Sequence, residues 1–156
     1  HGVDDGTTRS GAFTGSGCGG AVNPAAGEVS ILQAVEAEDA GVVINPQQCR
    51  GQVEGGVAQA IGSALYEQIL IGPDGTVLTD ALRNYHIPQL ADVPVTEVLF
   101  ADTYDQFGPL GAKSMSESPY NPVAPALANA IAPACGARVR DLPMPPARGW
   151  RTRGGR

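Results

Sequence analysis

The sequence predicts a mixed α/β fold, and three observations carry the prediction. Residues 29 to 39 and 95 to 100 alternate apolar and polar side chains with the period of two expected of a strand. From Asn45 onward a capped segment places apolar residues at every fourth position, the spacing of one helical face. Pro119-Tyr120-Asn121-Pro122-Val123-Ala124-Pro125 opens an alanine-rich helix that runs to about Ala134 and stops at Gly136. Strands and helices interleave, without internal repeat, as in a single mixed domain.

The elements follow in chain order. Residues 1 to 20 are dense in glycine and poor in apolar side chains, so they read as a loop or arm. Asn23-Pro24-Ala25-Ala26-Gly27 is a turn, and the strand after it is expected to place Val29, Ile31 and Val35 on one face. Gly41-Val42-Val43-Ile44 leads to Asn45, which can cap a helix; Pro46 suits its first position and Gln48 can close a capping box. Along this helix Val53, Val57, Ile61, Leu65 and Ile69 form an apolar row, while Gly51, Gly55, Ala58 and Gly62 form a nearly bare second face. Each helical glycine costs roughly 0.5–1 kcal/mol relative to alanine, so something must approach that face closely, either another element or a ligand. Ile71 to Leu78 reads as two short strands around a Pro-Asp-Gly turn, and Pro143, Pro145 and Pro146 forbid regular structure near the end. This gives an arm at 1–20, a domain at 21–146 and a basic tail at 147–156.

Composition narrows the function. The 156 residues suffice for one core. The 21 glycines and 13 prolines make just over a fifth of the chain, below the roughly 25–30% of low-complexity disorder. A net charge of −6 argues against a general nucleic-acid or anionic-membrane surface. The charge is uneven: residues after 137 carry +5 and the rest −11. No apolar run approaches the roughly 20 residues of a membrane span, and the expected location is the cytoplasm. Cys18, Cys49 and Cys135 show neither a CxxC pair nor iron–sulfur spacing, and two histidines cannot build an ordinary zinc site. No protein metal ligand is expected. A chain beginning with His1 instead of Met is expected to be a processed product or a piece of something longer.

The segment Gly108 to Pro119 is the best candidate for chemistry. It combines small residues, the chain's only lysine, Lys113, and the carboxylate Glu117 just before a helix. Small residues let backbone N–H groups approach a ligand, and helix-start amides favour negative charge. Glu117 in that place serves either as a general base or as a neighbour that satisfies backbone donors. Glu54 reads as an ordinary exposed helical glutamate. His86 with the serines suggests no triad, because GxSxG is absent; GxGxxG before a helix and GxxxxGK[ST] are absent too.

Taken in order, Gly41 to Asn45-Pro46, Gly51-Gln52-Val53-Glu54-Gly55-Gly56, Ala58 to Gly62, Tyr85-His86-Ile87-Pro88, Asp92-Val93-Pro94, Gly111-Ala112-Lys113 through Glu117, and Ala124-Pro125-Ala126 resemble one family. It is the xanthine dehydrogenase and aldehyde oxidase family, in the C-terminal portion of its molybdopterin-binding large subunit, over roughly residues 22 to 146. The resemblance implies a molybdenum hydroxylase that acts on an aldehyde or N-heteroaromatic carbon with water as the oxygen source. It implies a molybdenum–pterin cofactor in the cytosine dinucleotide form, with iron–sulfur clusters and FAD on partner chains. Glu117 then corresponds to the family's base, Gln52 to its pterin contact, and Lys113 and Ser114 to cofactor-loop contacts. The family's glycines beside the base are replaced here by Ser114 and Ser116. The upstream portion that completes the family's site is not in this sequence, so catalysis is expected only on assembly with the remaining large-subunit portion and the electron-transfer subunits. The alternative is a non-catalytic structural or assembly module that retains this fold.

Overall fold

In the computed structural model, residues 10–23, 26–136 and 138–144 are described; the basic tail expected at 147–156 lies outside them. The chain builds a three-stranded sheet covered on one face by two helices. Strands β1 (Phe13–Val22) and β2 (Val29–Asp39) pair antiparallel, and β3 (Thr96–Phe100) pairs parallel to β2, giving the order β1-β2-β3. A parallel neighbour requires a crossover, and helix α1 (Pro46–Leu65) lies on it.

Strand β1 corrects the expectation of a loop at residues 13–20; the start of the expected arm, residues 1–9, lies outside the described residues. Its glycines alternate with Thr14, Ser16 and Cys18, whose side chains are half-buried, and a small-residue strand is stabilised by its pairing and not by propensity. The register along β2 also departs from simple alternation. Gly19 pairs with Gln33 but Gly20 with Ile31, so Leu32 is an extra residue and the strand carries a bulge. Val29 and Ile31 pack on the main core before the bulge; after it the buried face passes to Ala34, Glu36 and Glu38, and Val35 moves to the other side. The three valine and isoleucine positions do not share a face.

Helix α1 starts as its sequence dictates: Asn45 Oδ1 accepts a hydrogen bond from the Gln48 N–H at 3.1 Å, with Pro46 in the first turn. It ends at Leu65, one turn before Ile69, which is 64% exposed. Both the Tyr66 and Glu67 N–H groups donate to Gly62 O, which turns the chain away. Beyond it, the two short strands expected at 71–78 reduce to one bridge between Ile71 and Val77 around a Gly72–Gly75 turn.

Helix α2 (Val123–Cys135) closes at Gly136, which has φ +66, after a 3₁₀ turn at Ser118–Tyr120 takes up the residues expected in its first turn. Its buried Val123, Leu127 and Ile131 meet Val57, Ala60, Ile61 and Ala64 of α1, and Ala34 of β2. Met144 joins this core and donates its N–H to Ala64 O at 2.7 Å. A smaller cluster of Ala40, Val53 and Met115 carries the loop described next.

Candidate functional site

The loop from Lys113 to Ser118 is fixed to the end of β2 by backbone and charge. Lys113 N–H donates to Ala40 O at 2.9 Å, and the Val42 N–H donates to Gly111 O at 2.9 Å. Gly41 has φ +62, and a Cβ there would stand 2.3 Å from Gly111 O, so only glycine permits this close backbone approach. Asp39 collects three donors: Lys113 Nζ at 2.6 Å, Thr103 Oγ1 at 2.5 Å and the Gly41 N–H at 3.3 Å. The Lys113 bond, followed by the Thr103 bond, holds the Asp39 carboxyl below its usual range. Lys113 is thereby engaged with Asp39 and not exposed as a free cation; its side chain is 13% exposed.

Past Lys113, Ser114 is exposed and Met115 turns inward, its Sδ 3.8 Å from Cys49 Sγ of α1. Both the N–H and Oγ of Ser118 donate to Met115 O. Between these two anchors the loop presents Ser116 and Glu117 outward. Gln52, on the exposed side of α1, donates from Nε2 to Ser116 O at 2.8 Å. Residues 52 and 117, distant along the chain, thus share one surface. Ser116 adopts φ +41, a left-handed conformation that costs a side-chain-bearing residue on the order of 1 kcal/mol. Glu117 is exposed, and its carboxylate has no hydrogen-bond or ion-pair partner among the described residues.

The glycine face of α1 divides in two. A Cβ on Gly62 would meet Glu67 and Pro88, so that part is filled by packing. Nearby, the interior-facing Gly56 brings Pro119 within 3.1 Å of its would-be Cβ, which seats the 3₁₀ turn after Glu117 on the helix. Gly51 and Gly55 meet nothing within 4 Å and leave bare helix surface on the side of Gln52. Glu54 pairs with Arg50 at 2.8 Å. His86 lies elsewhere, its ring 4.8 Å from that of Tyr66 and its Nε2 3.9 Å from Asp92. Asp39 and Thr103 escaped the sequence reading; the signal was the single lysine, whose counter-charge sits 74 residues away.

The molybdopterin cofactor-binding domain family matches residues 6–94. The probable hypoxanthine oxidase XdhD of Escherichia coli (strain K12) is 37% identical over 127 residues, 81% of this chain and 13% of that protein. The aldehyde oxidoreductase molybdenum-binding subunit PaoC of the same strain is 35% identical over 125 residues, 79% of this chain and 17% of that subunit. Among solved structures, the aldehyde oxidoreductase from Desulfovibrio desulfuricans ATCC 27774 superposes with a TM-score of 0.76 at 31% identity, covering 85% of this chain and 14% of that one. The chain therefore spans about one-seventh of the length of the proteins it matches. It belongs to the family of molybdopterin cofactor-binding domains found in the molybdenum-binding subunits of xanthine dehydrogenases and aldehyde oxidoreductases.

Proposed function

We propose that this chain supplies one wall of the molybdenum site of a hydroxylase acting on an aldehyde or N-heteroaromatic carbon. Relatives named for hypoxanthine, nicotine and aldehyde chemistry support that substrate class. The remaining large-subunit portion would enclose the site, with an iron–sulfur subunit and an FAD subunit beside it in the cytoplasm. The single observation that carries the reading is the Gln52–Ser116 contact, which gathers an amide, a free carboxylate and bare helix backbone on one surface.

The residues present fit a bulky polar cofactor. Gly51 and Gly55 leave room against the helix, and Gln52 keeps an amide oxygen to accept from it. When bound, a molybdenum–pterin group of the cytosine dinucleotide form supplies the two-electron oxidant for replacing C–H by C–OH, with water as oxygen source. The protein's share is position and proton transfer. Gln52 holds the pterin side and steadies the loop, Ser114 lines its exposed flank, and Lys113 acts through its hold on Asp39. Glu117 would accept, on its carboxylate, one proton of the attacking water, whose other hydrogen stays on the new hydroxyl; the substrate's broken C–H bond supplies the second proton and the electron pair, which passes to the partner chains.

A Glu117→Gln variant of the assembled enzyme tests this. Turnover is expected to fall about 10²–10⁴-fold, the usual contribution of a general base, with molybdenum content unchanged. Undiminished turnover rejects the role. Absence of stoichiometric molybdenum from the natively purified complex would favour the non-catalytic assembly module instead.

A further inference from the structure

Two carboxylates lie where charge is least welcome. Glu36 and Glu38, on the buried face of β2, are 0% and 1% exposed, between Ala34 of the large core and Ala40 of the small one. Neither oxygen of Glu36 has a hydrogen-bond partner among the described residues; Glu38 Oε1 accepts from Thr14 Oγ1 at 2.6 Å, while its Oε2 has none. An ionised carboxylate in that condition costs several kcal/mol, so such a group neutralises itself by binding a proton.

Among the described residues, the surroundings offer no compensating cation. Strand β1 sets Ser16 opposite Glu36 and Thr14 opposite Glu38, with the Cys18 thiol next along. Strand β3 sets Val98 and Phe100 against them. From α1, the titratable group is Cys49, whose thiol is raised first by burial and then by the charge of Glu38. Arg50 of α1 turns outward to Glu54 and to Thr96 O. Helix α2 brings only the Cys135 thiol, and the site loop brings Met115 and Lys113, the latter held by Asp39. No third acid, histidine or cysteine completes a metal-binding group among the described residues.

We propose that Glu36 and Glu38 form a proton-binding site of the folded domain, in which Glu36 is kept as the neutral acid, gains its proton on folding, and loosens the packing of α1 on the sheet when that proton is lost. Burial, reinforced by the charge of Glu38 and opposed by Ser16, lifts the Glu36 carboxyl from 4.5 to about 7. The folded state then binds more protons than the unfolded chain between these values. The stabilising effect is complete below pH 4.5 and is lost as the pH rises through about 7. This inference is independent of the catalytic reading, because it uses neither Gln52 nor Glu117.

The test is denaturant unfolding of the 156-residue chain at pH 5 to 8. The folded-to-unfolded ratio of the wild type is expected to fall on the order of 50-fold across that range. Glu36→Gln, whose amide cannot ionise, is expected to remove most of the fall; Glu38→Gln, which removes only the lesser contribution to the lift, is expected to keep the larger part of it. A flat wild-type profile, or an undiminished fall in Glu36→Gln, overturns the proposal. Should Glu36→Gln not fold, proton uptake by the wild type during refolding at pH 6 decides: about one proton supports the site and none overturns it.

Discussion

Replacing Lys113 by methionine isolates the ionic anchor of the site loop, because methionine keeps most of the stem and removes the ammonium. The Lys113 and Asp39 side chains are 13% and 14% exposed and their contact is 2.6 Å, so the pair is shielded more than a surface bridge. Complete loss of one partner of a buried pair costs about 3–5 kcal/mol, but Asp39 keeps its bonds from Thr103 and Gly41. The expected loss is therefore about 2 kcal/mol, closer to one charge-assisted hydrogen bond. Urea unfolding of wild type, Lys113→Met, Asp39→Asn and the double variant yields a coupling energy, expected at about 1–2 kcal/mol. The pH dependence has a definite sign. Asp39 is held below 3.8 chiefly by the Lys113 bond, so the stability it confers is present above that value and is lost as the pH falls through the lower folded one. Lys113→Met should flatten this acid limb. A coupling energy below about 0.3 kcal/mol, or an acid limb identical to wild type, would refute the anchor.

Three further substitutions probe the loop's backbone. Gly41→Ala forces a Cβ to within 2.3 Å of Gly111 O at φ +62; a loss of more than about 2 kcal/mol in a thermal melt is expected, and a change under about 0.5 kcal/mol would contradict the close approach. Ser116→Gly relieves φ +41 and is expected to stabilise by about 0.5–1 kcal/mol, whereas Ser114→Gly, which has no positive φ to relieve, is expected to bring no gain.

What the sequence made legible was whatever its local chemistry determines. Asn45, Pro46 and Gln48 announce the start of α1 because the cap closes within three residues. Gly136 announces the end of α2 for the same kind of reason. Strand β1 stayed hidden because its stability resides in its pairing with β2 and its packing under α2, although Thr14, Ser16 and Cys18 alternating with glycine was a usable signal. At the site, the GQVEGG and GAK blocks pointed to one region, and the fold brings Gln52 against the loop that bears Glu117. The anchoring by Asp39 and Thr103 was not legible, because nothing local to Lys113 names its partner. The structure separates the loop's two exposed serines: Ser116 occupies a glycine-like conformation and Ser114 does not.

The bulge at Leu32 links the largest error of the sequence reading to the feature with the most physical consequence. Strict alternation from Val29 and Ile31 assigns Val35 to the core and turns Glu36 outward, the cheapest arrangement for a carboxylate. One extra residue on β2 reverses that parity, because a one-residue slip carries every later side chain to the opposite face. Ala34, Glu36 and Glu38 then lie inward against Cys18, Ser16 and Thr14 of β1. The same reversal leaves Asp39 at the strand's end where Lys113 and Thr103 can reach it, and so fixes the anchor of the site loop. A pattern in hydrophobicity cannot reveal this, since hydrophobicity alone would have opposed it. The register that buries the two acids is thus also the register that positions Asp39.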